Sequence, residues 1–304
     1  MMSAPSYCSA IFMSAYGASP YLAEQVDSIT AQMGPQDILV IVDDGSRNVD
    51  WVGLKKLPAN YLFWTRINKM GVGKSFFNLI MEVEVQARYY FLSDQDDVWM
   101  QNKLMVQKEC HQKGATKIHA TVHAWIVLNQ HVNKQLHGNV IQPIPQLSPA
   151  HYFFETPSPG MTLSFTNESR QLLVEHKSLL INFVDKLPHD RILCAFFARH
   201  GQLQLVAEAL VHYRQHTDNL VGAPSTRKLE SWGKRIKQSI RTWRTASHGL
   251  EFYMSVNGFM QERCGQAEQV KCVGNMELRS NPADNRIMQC TVRLLNIINR
   301  FHML

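Results

Sequence analysis

The stretch Ile38-Leu39-Val40-Ile41-Val42-Asp43-Asp44-Gly45-Ser46 decides the fold class. Its aliphatic part has no polar face, so a strand built from it is buried on both sides, as in a parallel sheet covered by helices. The run stops at a polar turn carrying two carboxylates. Tyr89-Tyr90-Phe91-Leu92 repeats the pattern and runs into Ser93-Asp94-Gln95-Asp96-Asp97. Further strands are expected at Tyr7 to Met13, Tyr61 to Thr65, His119 to Leu128, Met161 to Phe165 and Leu210 to Tyr213. The first helix is expected to start at Ser19-Pro20, with Ser as N-cap and Pro at the first helical position. It carries Leu22, Val26 and Ile29 on one face. Others are expected at Ser75 to Gln86, Asn102 to Lys113, near Asn167, and from Asp190 to about His200. Strands alternating with helices at this spacing predict an α/β fold with a mostly parallel, Rossmann-like sheet flanked by helices. The Pro-rich stretch 143–159 interrupts the alternation.

The chain has 304 residues, suited to one large α/β domain or two smaller ones. No uncharged apolar run reaches the roughly 18 residues of a membrane span, and the N-terminal segment lacks the basic start of a signal peptide. The 6 cysteines show neither C-x-x-C pairs nor metal-finger spacing and read as reduced thiols of a cytoplasmic protein. The formal net charge is +6. All of that excess lies between Arg227 and Arg244, which holds seven bases and one acid. The rest of the chain is balanced, which argues against a nucleic-acid binder and for an anionic partner of one segment.

Both acidic clusters follow apolar strands directly. In open α/β sheets, ligands bind outside the carboxyl ends of the strands. Two groups of carboxylates at one edge repel unless a cation lies between them. Mg²⁺ or Mn²⁺ suits that place, since each takes oxygen ligands and bridges one or two carboxylates to substrate phosphates.

Ser14-Ala15-Tyr16-Gly17, Val42-Asp43-Asp44-Gly45-Ser46, Asn68-Lys69-Met70-Gly71-Val72 and Phe91-Leu92-Ser93-Asp94-Gln95-Asp96-Asp97-Val98-Trp99 occur in this order. Pro159-Gly160-Met161-Thr162, His189-Asp190 and Tyr213-Arg214-Gln215-His216 follow. The ordered series resembles the bacterial family-2 glycosyltransferases with the GT-A fold, above all the rhamnosyltransferases of lipopolysaccharide and exopolysaccharide assembly. The resemblance runs from about Ala10 to Val221. It implies a catalytic domain over 1–222, with a nucleotide-sugar half to about 130 and an acceptor half beyond, and a helical region over 223–304.

The resemblance also implies an inverting, metal-dependent sugar transfer. Ser14, Tyr16, Asp43, Asp44, Lys74, Asp94 and Gln95 would hold the donor. Asp44 would accept the imide N–H of a uracil or thymine base, and Asp94 would face the ribose. Asp96 and His216 would ligate the cation. Asp190 would be the general base that takes the proton of the acceptor hydroxyl. Gly160, Met161, Thr162, His189 and Arg191 would lie on the acceptor side. Two positions depart from the family pattern. Gly17 stands where Asn is usual, and Arg191-Ile192 stand where many members carry tryptophans, which bears on the acceptor pocket. The implied partners are a dTDP- or UDP-sugar donor and a glycan or glycolipid acceptor, with no nucleic acid.

In the basic C-terminal segment Leu229, Trp232, Ile236, Ile240 and Trp243 recur at steps of three and four. That is a helical stripe opposite a basic face. It fits an interfacial helix on an anionic membrane surface, at the inner face of the cytoplasmic membrane, and equally a stripe packed on the catalytic domain or in a dimer. Two other classes of function compete with sugar transfer. Asp94-x-Asp96-x-Val98 after an apolar strand fits a haloacid-dehalogenase-type phosphatase, which leaves Asp43, Asp44 and Asp190 idle. A non-catalytic carbohydrate- or nucleotide-binding module would leave the carboxylates without work.

Overall fold

The computed structural model describes residues 6–17, 19–46, 60–129, 139–215, 232–257 and 272–302. The strands are β1 (Tyr7–Ala15), β2 (Asp37–Asp43), β3 (Tyr61–Thr65), β4 (Ala87–Ser93), β5 (Val98–Trp99), β6 (His119–Asn129), β7 (Val140–Ile141), β8 (Ser164–Thr166) and β9 (Gln202–Gln215). The helices are α1 (Leu22–Thr30), α2 (Val72–Glu82), α3 (Lys103–Lys113), α4 (His151–Phe154), α5 (Asn167–Glu175), α6 (Lys177–Leu180), α7 (His189–His200), α8 (Trp232–Asn257) and α9 (Pro282–His302).

One sheet runs in the order β3-β2-β1-β4-β8-β6-β9-β5, with β7 paired to β6. The half formed by β3, β2, β1 and β4 is parallel throughout. β8 enters antiparallel to β4 and β6, and β6 then pairs in parallel with β9. Every residue of β2 is buried, as a strand without a polar face requires. Side chains of β1, β2 and β4 alternate between two buried layers. Phe12, Val40 and Leu92 face the layer under α2 and α7, and Ile11, Leu39 and Phe91 face the layer under α1.

Several expected boundaries shift. The first helix begins at Leu22 rather than at Pro20. Ser19 and Pro20 lie in a turn instead, where the Ser19 hydroxyl accepts from the Tyr21 N–H at 3.3 Å. The second helix runs Val72–Glu82, not Ser75 to Gln86, because Val83 is already extended. Only Ser164–Thr166 of the stretch from Met161 is a strand, and Gly160–Thr162 is a turn of 3₁₀ helix. β9 is far longer than Leu210 to Tyr213, since its pairing with β6 supplies the ladder along its whole length.

The expected boundaries at 130 and 222 fall outside the described residues. α8 and α9 share the main core: Ala246, Leu250 and Phe252 of α8 and Met288 and Val292 of α9 are buried in the same cluster as Phe153, Phe183 and Phe196. Trp243 packs against that cluster, while Ile240 is exposed. Leu229 and the side chains of Trp232 and Ile236 lie outside what is described. Among the described residues, no helix is long and apolar enough to cross a membrane.

Candidate active site

The carboxyl ends of β1, β2 and β4 meet at one lip of the sheet, and each delivers polar residues there. At the end of β2, the Asp44 carboxylate accepts the backbone N–H groups of Met70 and Gly71 at 3.0 and 2.8 Å and the Arg66 guanidinium at 3.2 Å. It thereby pins the loop from Asn68 to Gly71 over the sheet edge. A carboxylate has roughly four lone-pair sites, and these three donors occupy most of them. Asp43 is fully buried and serves the turn, since one of its oxygens accepts from the Ser46 backbone and hydroxyl. Its other oxygen is buried without a partner among the described residues.

Gly45 closes this turn with φ of +83°, and a Cβ there would lie 2.8 Å from backbone atoms of Asn68 and Lys69. No other residue allows that approach.

Arg66, at the end of β3, also donates to Ser75 and Asn78 of α2, and Ser75 in turn receives the Ser14 hydroxyl at 2.6 Å. Ser14 and Asp44 therefore belong to one network. Gln95 bonds the backbone of Tyr16 in both directions, at 2.9 and 3.0 Å, so its amide ties the β1 and β4 loops together. The Tyr16 ring is exposed, with the Lys69 ammonium 3.4 Å above it. Lys74, expected on the donor, instead pairs with Asp185 at 2.8 Å.

The β4 loop concentrates negative charge. The Asp94 carboxyl is pushed up to about 7, first by its burial and then by the charges of Asp96 and Asp190, with Lys103 pulling it down. Asp97 is fully buried and driven well above the usual carboxylate range, by burial and by the charges of Asp94 and Asp96. One Asp97 oxygen accepts the Arg214 backbone N–H at 3.1 Å, and the other is buried without a partner among the described residues. Arg214 of β9 also donates to the Asp96 carbonyl at 3.0 Å and to Glu24 at 2.6 Å.

Lys103, at the start of α3, lies fully buried beneath this loop. Its ammonium donates to the Met161 carbonyl at 2.5 Å and stands 3.9 Å over the Trp99 ring. Burial pushes it well below the ordinary lysine range, and the charges of Asp97 and Asp94 oppose that.

Asp190 opens α7, and one of its oxygens accepts the Arg191 backbone N–H at 2.7 Å. His189 stacks on Phe76 at 4.7 Å and is held neutral by burial. Its Nε2 would lie 2.5 Å from a Cβ on Gly160, so Gly160 is what lets the turn before β8 approach α7. Met161 and Thr162 are fully buried. Thr162 hydrogen-bonds Ser158 and the Pro159 carbonyl, both at 2.7 Å. Met161 and Thr162, expected on the acceptor side, thus lie within the core with no exposed side chain. Arg191 donates to the Thr156 hydroxyl at 3.2 Å. His216 lies outside the described residues.

Of the residues expected from sequence, Ser14, Tyr16, Asp43, Asp44, Asp94, Gln95 and Asp96 meet at the lip, and Asp190 is close enough for its charge to act on Asp94. Arg66 and Lys103 are additions, and nothing in their local sequence separates them from solvated bases; Arg214 stands in the Tyr213-Arg214-Gln215-His216 motif, which gave it no role.

Residues 10–144 match the sequence model of glycosyl transferase family 2. The chain carries a family-2 glycosyltransferase domain. The match runs from within β1 to just past β7. The chain is 28% identical to the dTDP-rhamnosyl transferase RfbG of Shigella flexneri over 222 residues, 69% of this chain and 74% of that protein. Its fold matches that of S. aureus TarS 1-349 with a TM-score of 0.50 at 13% identity, covering 97% of this chain and 92% of that one. TarS 1-349 in complex with UDP-GlcNAc matches over the same shares, with a TM-score of 0.50 at 12% identity. The glycosyltransferase therefore has the GT-A arrangement of a curled, mostly parallel sheet flanked by helices. The family match favours sugar transfer over the phosphatase reading.

The donor set suits a divalent cation. Among the described residues, no three His, Cys, Asp or Glu side chains gather as a ready-made cage. What the lip offers is Asp94 and Asp97 with raised carboxyl groups, Asp96 between them in the chain, and one orphaned buried oxygen on Asp97. That fits Mg²⁺ or Mn²⁺, which binds through one or two carboxylates and completes its shell with substrate phosphates and water.

Proposed function

We propose that this glycosyltransferase moves L-rhamnose from dTDP-L-rhamnose, with inversion, onto a hydroxyl of a lipopolysaccharide or polysaccharide acceptor. The observation that supports the mechanism is electrostatic: Asp96 and Asp190 both lie near enough to Asp94 for their charges to raise its carboxyl, as a donor and an acceptor carboxylate facing one cleft would. The choice of sugar rests on the relative from Shigella flexneri, a dTDP-rhamnosyl transferase.

In this reading the base of the nucleotide lies against Asp44, whose remaining lone pair accepts the imide N–H. The exposed Tyr16 ring offers a stacking face beside it. Asp94 faces the ribose, and Asp96 carries the cation, with His216 as a second ligand. The bound cation neutralises the charge that builds on the departing diphosphate. Asp190 accepts the acceptor hydroxyl's proton as that oxygen attacks the anomeric carbon from the face opposite the diphosphate. One acceptor-side carboxylate suffices, unlike the pair a glycosidase needs. His189 is neutral and packed, so its part is to fix the first turn of α7. The enzyme works in the cytoplasm in this reading.

The test is a thermal-shift panel of dTDP- and UDP-sugars with Mn²⁺, followed by donor consumption. The account expects dTDP-rhamnose to give the largest stabilisation, and stabilisation to require the metal. A larger shift with a UDP-glucose or UDP-galactose donor would transfer the same mechanism to a UDP-sugar. No shift with any nucleotide sugar would remove the donor assignment.

A further inference from the structure

A cavity of about 520 Å³ lies between the segment leading into α7 and the middle of α8. That is within the size range of small-ligand sites. Pro188 and Arg191 line one wall, on either side of Asp190 in sequence, so the cavity begins at the turn that carries the proposed base. Ile240, Arg241, Arg244 and His248 line the other wall.

Its charges do not cancel. Asp185 at the rim is committed to Lys74 at 2.8 Å, and Lys186 to Glu251 at 2.5 Å. His248 faces the Lys186 carbonyl at 3.2 Å. Arg191, Arg241 and Arg244 remain, and among the described residues none of them forms an ion pair. Burial and the nearby charges of Arg279 and Arg241 depress the Arg191 guanidinium to about 10, partly opposed by Asp190 and Glu155. Guanidinium groups crowded around one cavity repel until an anion enters. A phosphate matches them best, because its oxygens meet the planar N–H fork in pairs.

We propose that the cavity is an acceptor subsite for a phosphate group, gripped by Arg191, Arg241 and Arg244 while the hydroxyl to be glycosylated lies at Asp190. This deepens the transferase reading and rests on it. It also gives the basic segment that carries the chain's whole net charge a task at the active site.

The test titrates inorganic phosphate into the full chain by ³¹P nuclear magnetic resonance with EDTA present. A parallel titration follows dTDP and UDP with Mn²⁺. Saturable phosphate binding is expected, weakened about tenfold or more in Arg241→Gln/Arg244→Gln, on the scale of lost charge-assisted hydrogen bonds. Arg241→Lys/Arg244→Lys should fall between, since it keeps charge and loses the fork. Both positions are exposed, so circular dichroism should show the same fold in all three proteins. Absence of saturable binding, or binding equal in the glutamine variant, overturns the subsite. Flotation with phosphatidylglycerol vesicles without saturable binding of soluble phosphate would assign the arginines to a lipid surface and also overturn it. Nucleotide binding without phosphate binding sinks only this inference, whereas loss of nucleotide binding sinks the transferase reading beneath it.

Discussion

Lys103 shows how much a single buried charge can organise. Its ammonium donates to the Met161 carbonyl, stands over the Trp99 ring and lies within reach of the charges of Asp94 and Asp97. A buried charge that loses its partner typically costs about 3–5 kcal/mol. Lys103→Met keeps the stem and removes the charge, so urea denaturation should show a loss on that scale. Because Lys103 lowers Asp94, the variant should also raise the pH midpoint of nucleotide–Mn²⁺ binding. Unchanged stability and an unchanged midpoint would show that the ammonium is not coupled to the loop. The sequence does not mark this residue, since Gln101-Asn102-Lys103 reads as a polar helix start. Asp44 is the reverse case: its place after five aliphatic residues is legible, but its grip on Met70 and Gly71 is not, because it depends on a loop 26 residues away.

At the scale of elements, the reading was best where burial is total. β2 and the Tyr89 to Leu92 part of β4 follow directly from apolar runs, because a doubly buried strand tolerates no other composition. It was poorest where tertiary pairing overrides local preference. β9 extends through polar Gln202 and Gln204 because β6 lies alongside. The Met161 to Phe165 run, apolar enough for a strand, is bent into a 3₁₀ turn by the approach of His189 over Gly160. The stripe on α8 divides, since Trp243 packs on the core while Ile240 stays exposed. The packed reading of that helix thus holds for its Trp243 side.

At the scale of the molecule, the lip behaves as one titrating unit. With Asp94 near 7, the cleft gains negative charge as pH rises through neutrality. Nucleotide–Mn²⁺ affinity should therefore climb across about pH 6–8 and level off above. Asp94→Asn should flatten that climb, and a wild-type affinity indifferent to pH would break the link. Fold stability is a poorer readout, because two effects oppose. A raised carboxyl such as Asp94 stabilises the ligand-free fold below its unfolded value near 3.8 and loses that contribution as pH rises toward 7. Buried neutral histidines do the opposite: His111, lowered to about 3, costs stability as pH falls through its unfolded value near 6.5.

The central claim is that a carboxylate at the head of α7 faces the donor lip and takes the acceptor's proton. It is tested most directly by comparing Asp190→Asn with the wild type in donor binding and in sugar transfer. The account predicts nucleotide affinity within about twofold and transfer reduced by ~10²-fold or more, the range general-base catalysis supplies. Near-normal transfer by Asp190→Asn would contradict it.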